Sequence, residues 1–269
     1  MLTQYEHHVA LAQNKLCPFL LRTGNGLRDT VCNWHQNIEV FLIRGGTGHI
    51  RCGANDHALS TGDVVVVNTG TLHHIYSETG IDYDCLIIDE LFCRENGIDT
   101  KIILFEEKIC DPQTAILVHR VAEKLRQYSA DTPPERVAKI RCAVLMLLIE
   151  LSENHRVTQI DTATRASNAD EHVKAAISYL GEHYAEPISL DAVAAFVGVS
   201  KFHLSREFKK HTDQTIFTYL NTLRCRNAEI SIRNGQTVTQ AALENGFDSL
   251  SYFSRTYKRL MGTPPSSAT

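Results

Sequence analysis

The chain has 269 residues, of which 43% are hydrophobic and 22% charged, with a formal net charge of −4. That balance excludes a disordered or fibrous chain, and the length exceeds the usual single domain, so two domains are expected. An acidic total suits a metabolic enzyme better than a nucleic-acid binder, until the charge is located along the chain.

The longest apolar run, residues 143–149, falls far short of the roughly 18 residues that a membrane-spanning helix needs, so no span is expected. The opening MLTQYEHHVALAQNK has neither the basic start nor the continuous apolar stretch of an export signal, and a cytoplasmic protein is expected. Eight cysteines (Cys17, Cys32, Cys52, Cys85, Cys93, Cys110, Cys142 and Cys225) show no CxxC and no zinc-type clustering. Reduced thiols are expected, with Cys85 and Cys142 packed as small hydrophobes inside apolar runs.

From Leu16 to Asp89, short runs rich in Val, Ile, Phe and Tyr alternate with Gly, Asn and Asp, which predicts an all-β sandwich or barrel. Strands are expected at 38–43, 47–52, 63–67 and 83–88, with reversals at Gly45-Gly46 and Thr61-Gly62-Asp63. The period then becomes helical. Ile116, Val118, Val121, Ala122 and Leu125 form one stripe, and Pro133-Pro134 opens a second helix whose apolar face runs from Val137 to Leu151. That wide face suits packing on the barrel or on a second subunit, so a homodimer is expected. The polar stretch at 156–169 reads as a linker, and helices follow, Val173, Ile177, Leu180 and Tyr184 lining the first.

The C-terminal region repeats itself. LSREFKK at 204–210 corresponds to FSRTYKR at 253–259, and Ala194-x3-Gly198 upstream of the first copy corresponds to Ala242-x3-Gly246 upstream of the second. This is helix-turn-helix logic: a small Ala allows close helix approach, Gly tolerates a left-handed turn, and Ser200 and Ser249 cap the second helices. Leu204 and Phe208 face the core in the first copy, and Leu250, Phe253, Tyr257 and Leu260 in the second. Lys201, Arg206, Lys209 and Lys210 stand against Glu207 in the first second-helix, whereas Arg255, Lys258 and Arg259 meet no acid in the other. Each of these helices is therefore cationic although its domain is nearly neutral, which concentrates positive charge where phosphates and guanine edges would sit. A long helix over about 214–234, roughly 30 Å at 1.5 Å per residue, joins them and suits successive major grooves about 34 Å apart.

The motifs ISLDAVAAFVGVSKFHLSREFKK and NGFDSLSYFSRTYKRLMGTPP resemble the DNA-binding domain of the AraC/XylS family, and the β-rich part resembles the cupin-like sensor domain of many members. The resemblance implies an α+β, two-domain fold. A cupin-like β-barrel (about 16–90) with a helical hairpin (about 112–155) makes a sensor and dimerisation domain over 1–155. A linker over 156–169 leads to an all-α DNA-binding domain over 170–269, in which two helix-turn-helix motifs are joined by a long helix. It also implies double-stranded DNA, a small-molecule effector and RNA polymerase as partners, and activation rather than repression. Matching positions make Phe202, Ser205 and Arg206 of the first motif, and Ser251, Tyr252 and Arg255 of the second, expected DNA contacts; Lys201, Lys209, Ser254 and Lys258, on the same outward basic helix faces, complete the expected DNA-binding residues. The chain departs from the family at Ala241, usually Ile, at Asp213, usually Gly, and in the tail PPSSAT, which lacks an aromatic-Arg ending.

Asn33-x-His35-x3-Glu39-x6-Gly46 and Gly62-x5-Asn68-x-Gly70-x2-His73 resemble the two cupin motifs. Metal cupins use two His and a Glu from the first and a His from the second; here Asn33 replaces one His, and Asn68 stands where Pro is usual. AraC-type sensors keep such residues without metal, so no cofactor is expected, His35, Glu39 and His73 being the candidates if one binds. Trp34, His35, Glu39, Phe41, His73 and Tyr76 are the expected effector-binding residues, and a carbohydrate or other polar metabolite is the expected ligand. The alternative is a metal-dependent cupin enzyme with a helical appendage. No GxSxG, HExxH, P-loop or dinucleotide-binding glycine pattern occurs, and no catalytic residue is expected.

Overall fold

A computed structural model describes residues 16–157 and 168–268. These two stretches form two compact units. None of the described helices is long and apolar enough to cross a membrane.

The first unit is built on an antiparallel sheet of β1 (Phe19–Asp29), β2 (Ile38–Cys52), β3 (Asn55–Ser60), β4 (Val64–Val67), β5 (His73–Ile88) and β6 (Lys108–Ile109), ordered β1-β5-β2-β4-β6 with β3 also on β2. Three helices follow the long strands: α1 (Glu90–Glu95), α2 (Pro112–Arg126) and α3 (Pro134–Asn154). Strand alternation sends Ile38, Val40, Leu42, Val64, Val66, Leu86 and Ile88 to one face, where they pack on Val118, Val121 and Leu125 of α2 and on Ile140, Val144, Leu147 and Leu151 of α3. The intervening Phe41, Ile43, Val65, Val67, Cys85 and Ile87 turn the other way and meet Ile50, Cys52, Leu59 and Ile75 in a second core. Both faces are thus buried, which is why these strands read as continuous apolar runs.

The expected strands 38–43 and 47–52 are one strand. Gly45-Gly46 is not a reversal but an irregularity in the β2–β5 ladder, with register shifts between Ile43 and Gly45 and between Gly46 and His49. Gly46 has φ 79°, and a Cβ there would meet the Gly80 carbonyl oxygen at 2.4 Å, so the glycine marks a close crossing of two backbones. β5 likewise starts at His73, ten residues before the expected strand.

In α2, Ile116 is exposed, and Thr114 joins Val118, Val121, Ala122 and Leu125 on the buried side. Position 116 lies two residues from both 114 and 118, on the opposite side of the helix. Cys142, expected to be packed, is exposed for the same reason between the buried Ile140 and Val144. The remaining buried face of α3 is as expected, while Met146 and Ile149 are exposed. Asp84 on β5 is buried; Arg44 Nε donates to it at 3.1 Å, and Arg126 at the end of α2 bonds its other oxygen, tying the helix to the sheet.

The second unit is helical: α4 (Asn168–His183), α5 (Leu190–Val197), α6 (Lys201–Thr212), α7 (Ile216–Arg233), α8 (Val238–Glu244), α9 (Leu250–Met261) and a closing 3-10 turn, Pro265–Ala268. Val173, Ala176, Ile177 and Leu180 of α4 are buried. Phe208 of α6 meets Tyr219 of α7 edge to face at 5.3 Å between ring centroids. Cys225, Ala228 and Ile232 of α7 pack on Ala241, Ala242, Phe247, Phe253 and Tyr257 of the second motif. The expected linker lies largely outside the described residues, and α4 begins at Asn168, within that linker's expected end.

Candidate functional site

α5 and α6 form the first helix-turn-helix motif, α8 and α9 the second. Ser200 Oγ accepts from the His203 amide and Ser249 Oγ from the Tyr252 amide, each at 3.3 Å, so both expected caps form. Gly198 (φ 81°) and Gly246 (φ 82°) take the left-handed turn positions, and Ala194 and Ala242 are buried at the helix contact. Open space surrounds the missing Gly198 Cβ, whereas a Cβ on Gly246 would lie 2.8 Å from the Ala185 carbonyl oxygen and 2.9 Å from Arg224 Nε.

The outward faces carry the expected residues. On α6, Phe202 is 80% exposed, Arg206 and Lys209 are exposed, and Lys201 and Ser205 are half-buried. On α9, Ser251, Tyr252, Arg255 and Lys258 are exposed and Ser254 is half-buried. Leu250 departs from expectation: as the first residue of α9 it lies beyond the buried row of Phe253, Thr256 and Tyr257 and is exposed.

Electrostatically the two faces differ. Lys201 Nζ pairs with Asp191 at 3.0 Å, and Arg206 Nε donates to Glu207 Oε1 at 3.0 Å, holding that carboxyl below its usual range. Arg255, Lys258 and Arg259 have no acidic partner among the described residues. An open hollow of about 380 Å³, lined by Val238, Ser254, Arg255, Lys258, Pro264, Pro265 and Ser266, adjoins α9. Tyr252 is partly committed, its hydroxyl accepting from Asn221 Nδ2 of α7 at 3.0 Å.

Arg224 was not singled out by its motif position. It donates to the carbonyls of Tyr184 (2.6 Å) and Glu186 (2.7 Å) just past α4, and its guanidinium lies 5.9 Å from the Phe247 ring centroid. It therefore joins the first motif's supporting helix to the second motif.

In the sheet unit, the structure brings together His35, Glu39 and His73, all buried. His35 Nε2 lies 3.1 Å from Glu39 Oε1, and His73 Nε2 lies 3.3 Å from Oε2. The other ring nitrogens face backbone carbonyls: His35 Nδ1 to Asn37 O at 2.8 Å and His73 Nδ1 to Thr71 O at 2.9 Å. A carbonyl only accepts, so each Nδ1 carries a proton, and a neutral ring then turns its Nε2 lone pair toward the carboxylate. Burial opposes ionisation of Glu39, but the two imidazoles outweigh it and hold the carboxyl well below its usual range. Burial likewise lowers His73, and its hydrogen bond to Glu39 more than reverses that. The residues demand positive charge between the rings and the carboxylate, from protons or from a metal ion, and the donor set of two imidazoles and one carboxylate fits a metal.

Phe41 lies two residues along β2 from Glu39, in the same buried core. Tyr76 does not join the site. It is three residues from His73 on β5, hence on the other face, where its hydroxyl bonds Asp56 (2.8 and 2.9 Å) and its ring stacks on His49. Trp34 is half-buried immediately before His35. Asn33 is held beside His73 by two backbone bonds of 3.0 and 2.9 Å. Asn68 has a structural role: its amide donates to Phe105 O and accepts from Phe105 N, both at 2.9 Å. Cys85 went unrecognised as part of the site; it is buried, and burial, with the Glu39 carboxylate nearby, pushes its ionisation well above the usual range.

Fold and site define a protein with paired helix-turn-helix motifs and a polar cluster enclosed in a sheet-rich unit. The AraC-like ligand binding domain matches residues 28–166 and a helix-turn-helix domain matches residues 193–268. The chain belongs to the AraC family of transcription regulators. It is 25% identical over 234 residues to an uncharacterized HTH-type transcriptional regulator of Staphylococcus aureus strain COL, covering 86% of this chain but 31% of that protein. The chain thus spans about a third of the length of the S. aureus relatives it matches. YbfI, an HTH-type transcriptional regulator of Bacillus subtilis strain 168, is 23% identical over 226 residues, covering 82% of this chain and 80% of its own. Among solved structures, an apo variant of ToxT from Vibrio cholerae shares the fold with a TM-score of 0.52 at 15% identity, covering 93% and 96% of the two chains.

Proposed function

We propose that this protein is a sequence-specific DNA-binding transcription activator that responds to a small polar effector held around His35, Glu39 and His73. One observation carries the reading: two serine-capped helices, duplicated in sequence, each expose an arginine and a lysine from the face opposite their cores. Arg206 and Arg255 read base edges in this assignment. Lys209 and Lys258 contact phosphates, and Lys201, Phe202, Ser205, Ser251, Tyr252 and Ser254 fill the remaining interface. Phe41 and Trp34 supply apolar surface to the effector, a carbohydrate being the ligand whose hydroxyls suit a buried carboxylate flanked by imidazoles.

The effector changes DNA affinity by its differential affinity for the two arrangements of the chain. The exposed Met146 and Ile149 of α3 support a homodimer through that helix. The protein acts without catalysis, in the cytoplasm, where DNA and RNA polymerase are its partners. Selection of bound sequences from a random DNA pool, with and without candidate sugars, tests this. Enrichment of a motif spanning two successive major grooves is expected. Recovery of unenriched DNA by a folded protein would defeat the assignment.

A further inference from the structure

We infer that Glu207 is a specificity-determining residue of the first motif: it holds the Arg206 guanidinium with one edge outward for a base and withholds it from phosphates. The inference rests on the base-reading assignment of Arg206 above and goes beyond it by naming what sets the aim of that arginine.

The contacts divide the fork of donors. Arg206 Nε donates to Glu207 Oε1 at 3.0 Å, and Nη2 donates to His203 Nδ1 in a long bond of 3.4 Å. Nε and Nη2 form one edge of a guanidinium, so both contacts use that edge and leave the edge of Nη1 and Nη2 to other acceptors. An edge of that kind matches the O6 and N7 acceptors of guanine. The Arg206 side chain is 72% exposed and that of Glu207 only 9%, so the carboxylate grips the fork from the protein side.

Glu207 is itself held from behind. Its second oxygen, Oε2, lies 3.9 Å from His211 Nε2, and His211 Nδ1 lies 3.0 Å from Asp170 Oδ1 in the first turn of α4. The carboxylate thus stands between the arginine and a ring anchored to another helix, which restricts its rotation and so fixes the fork it holds.

The second copy shows that the fold does not require this carboxylate. Thr256 occupies the corresponding position on α9 and is 3% exposed, against 7% for Glu207. A carboxylate placed where a threonine suffices costs desolvation, and pairing with an exposed arginine adds little stability. Its effect lies in binding. A cation already paired with a carboxylate attracts phosphate less, so DNA of the wrong sequence gains less from Arg206.

The test uses the full chain and three duplexes: a selected site, the same site changed at the base whose preference Arg206→Ala relaxes, and unrelated DNA. Glu207→Thr, which installs the residue of the second copy, should reduce the affinity ratio between the first two at least about threefold and tighten binding to the third. Glu207→Gln keeps an acceptor for Nε and should retain more of the ratio than Glu207→Thr. In an Arg206→Ala chain, Glu207→Thr should leave the ratio unchanged, whereas a merely structural Glu207 would weaken all three duplexes alike in either background. One measurement needs no variant: NMR of the free protein should show the Arg206 Nε proton exchanging with water more slowly than that of Arg255.

An unchanged ratio in folded Glu207→Thr overturns the inference. So do unrelated DNA bound no tighter by that variant, a ratio lost as fully in Glu207→Gln, and equal exchange of the two Nε protons. Each of these leaves the regulator reading intact. Failure to enrich any motif, or a motif indifferent to Arg206→Ala, removes the base-reading assignment and this inference with it.

Discussion

The two helix-turn-helix motifs repeat one sequence pattern and differ where charge and backbone strain are concerned. α6 presents Arg206 already engaged by Glu207 and Lys201 by Asp191, whereas the cations of α9 face outward without acidic partners among the described residues. α6 ends on Asp213 in the left-handed conformation (φ 57°), while α9 ends on Gly262, for which that conformation is ordinary. The turn glycines differ too, Gly198 facing open space and Gly246 pressed against Ala185 and Arg224. Duplicate sequence patterns therefore specify the same fold with different tolerances. The first motif is strained at its helix end, and the second is crowded at its turn.

That contrast can be broken by substitution. The largest effect is expected at the turns: Gly246→Ala combines a left-handed alanine with a clash and should cost about 3 kcal/mol, against about 1 kcal/mol for Gly198→Ala, compared by urea unfolding. Equal losses would erase the distinction. Next come the arginines. Arg206→Ala and Arg255→Ala should each lose about 1–3 kcal/mol of affinity for a selected site and relax base preference at one position. A loss confined to Arg206, measured by fluorescence anisotropy, would show that only the first motif reads sequence.

Lys209→Ala and Lys258→Ala should weaken binding to all sequences alike and flatten the plot of log affinity against log salt by about one unit each. Smallest is Asp213→Gly, which removes the left-handed strain at the end of α6 and should stabilise the helical unit by about 0.5 kcal/mol in thermal melts. Destabilisation instead would mean that the Asp213 side chain contributes more than its backbone costs.

The paired motifs were legible in the sequence because their determinants are local: a serine before a helix, a glycine after one, an alanine at a close crossing. The converging His35, Glu39 and His73 were legible as well, through spacing that resembled a known pattern. Tyr76 was misassigned although strand parity alone separates it from His73, an odd number of positions away. Ile116 and Cys142 show the same error on helices, where an apolar residue between two buried ones was assumed to be buried with them. The continuous β2 was not legible, since Gly45-Gly46 has the composition of a turn and only the approach of Gly80 distinguishes a crossing from a reversal. Nor was Arg224, whose acceptors lie 40 and 38 positions away in sequence.

That arginine has a consequence for how the helical unit can be divided. The carbonyls it satisfies follow a helix belonging to one copy, while its own helix and the ring beneath it support the other. A cut between the copies would leave exposed acceptors on one fragment and a half-buried cation without its acceptors on the other. The two copies thus depend on each other: the smallest piece that can be transplanted with these contacts intact is the pair.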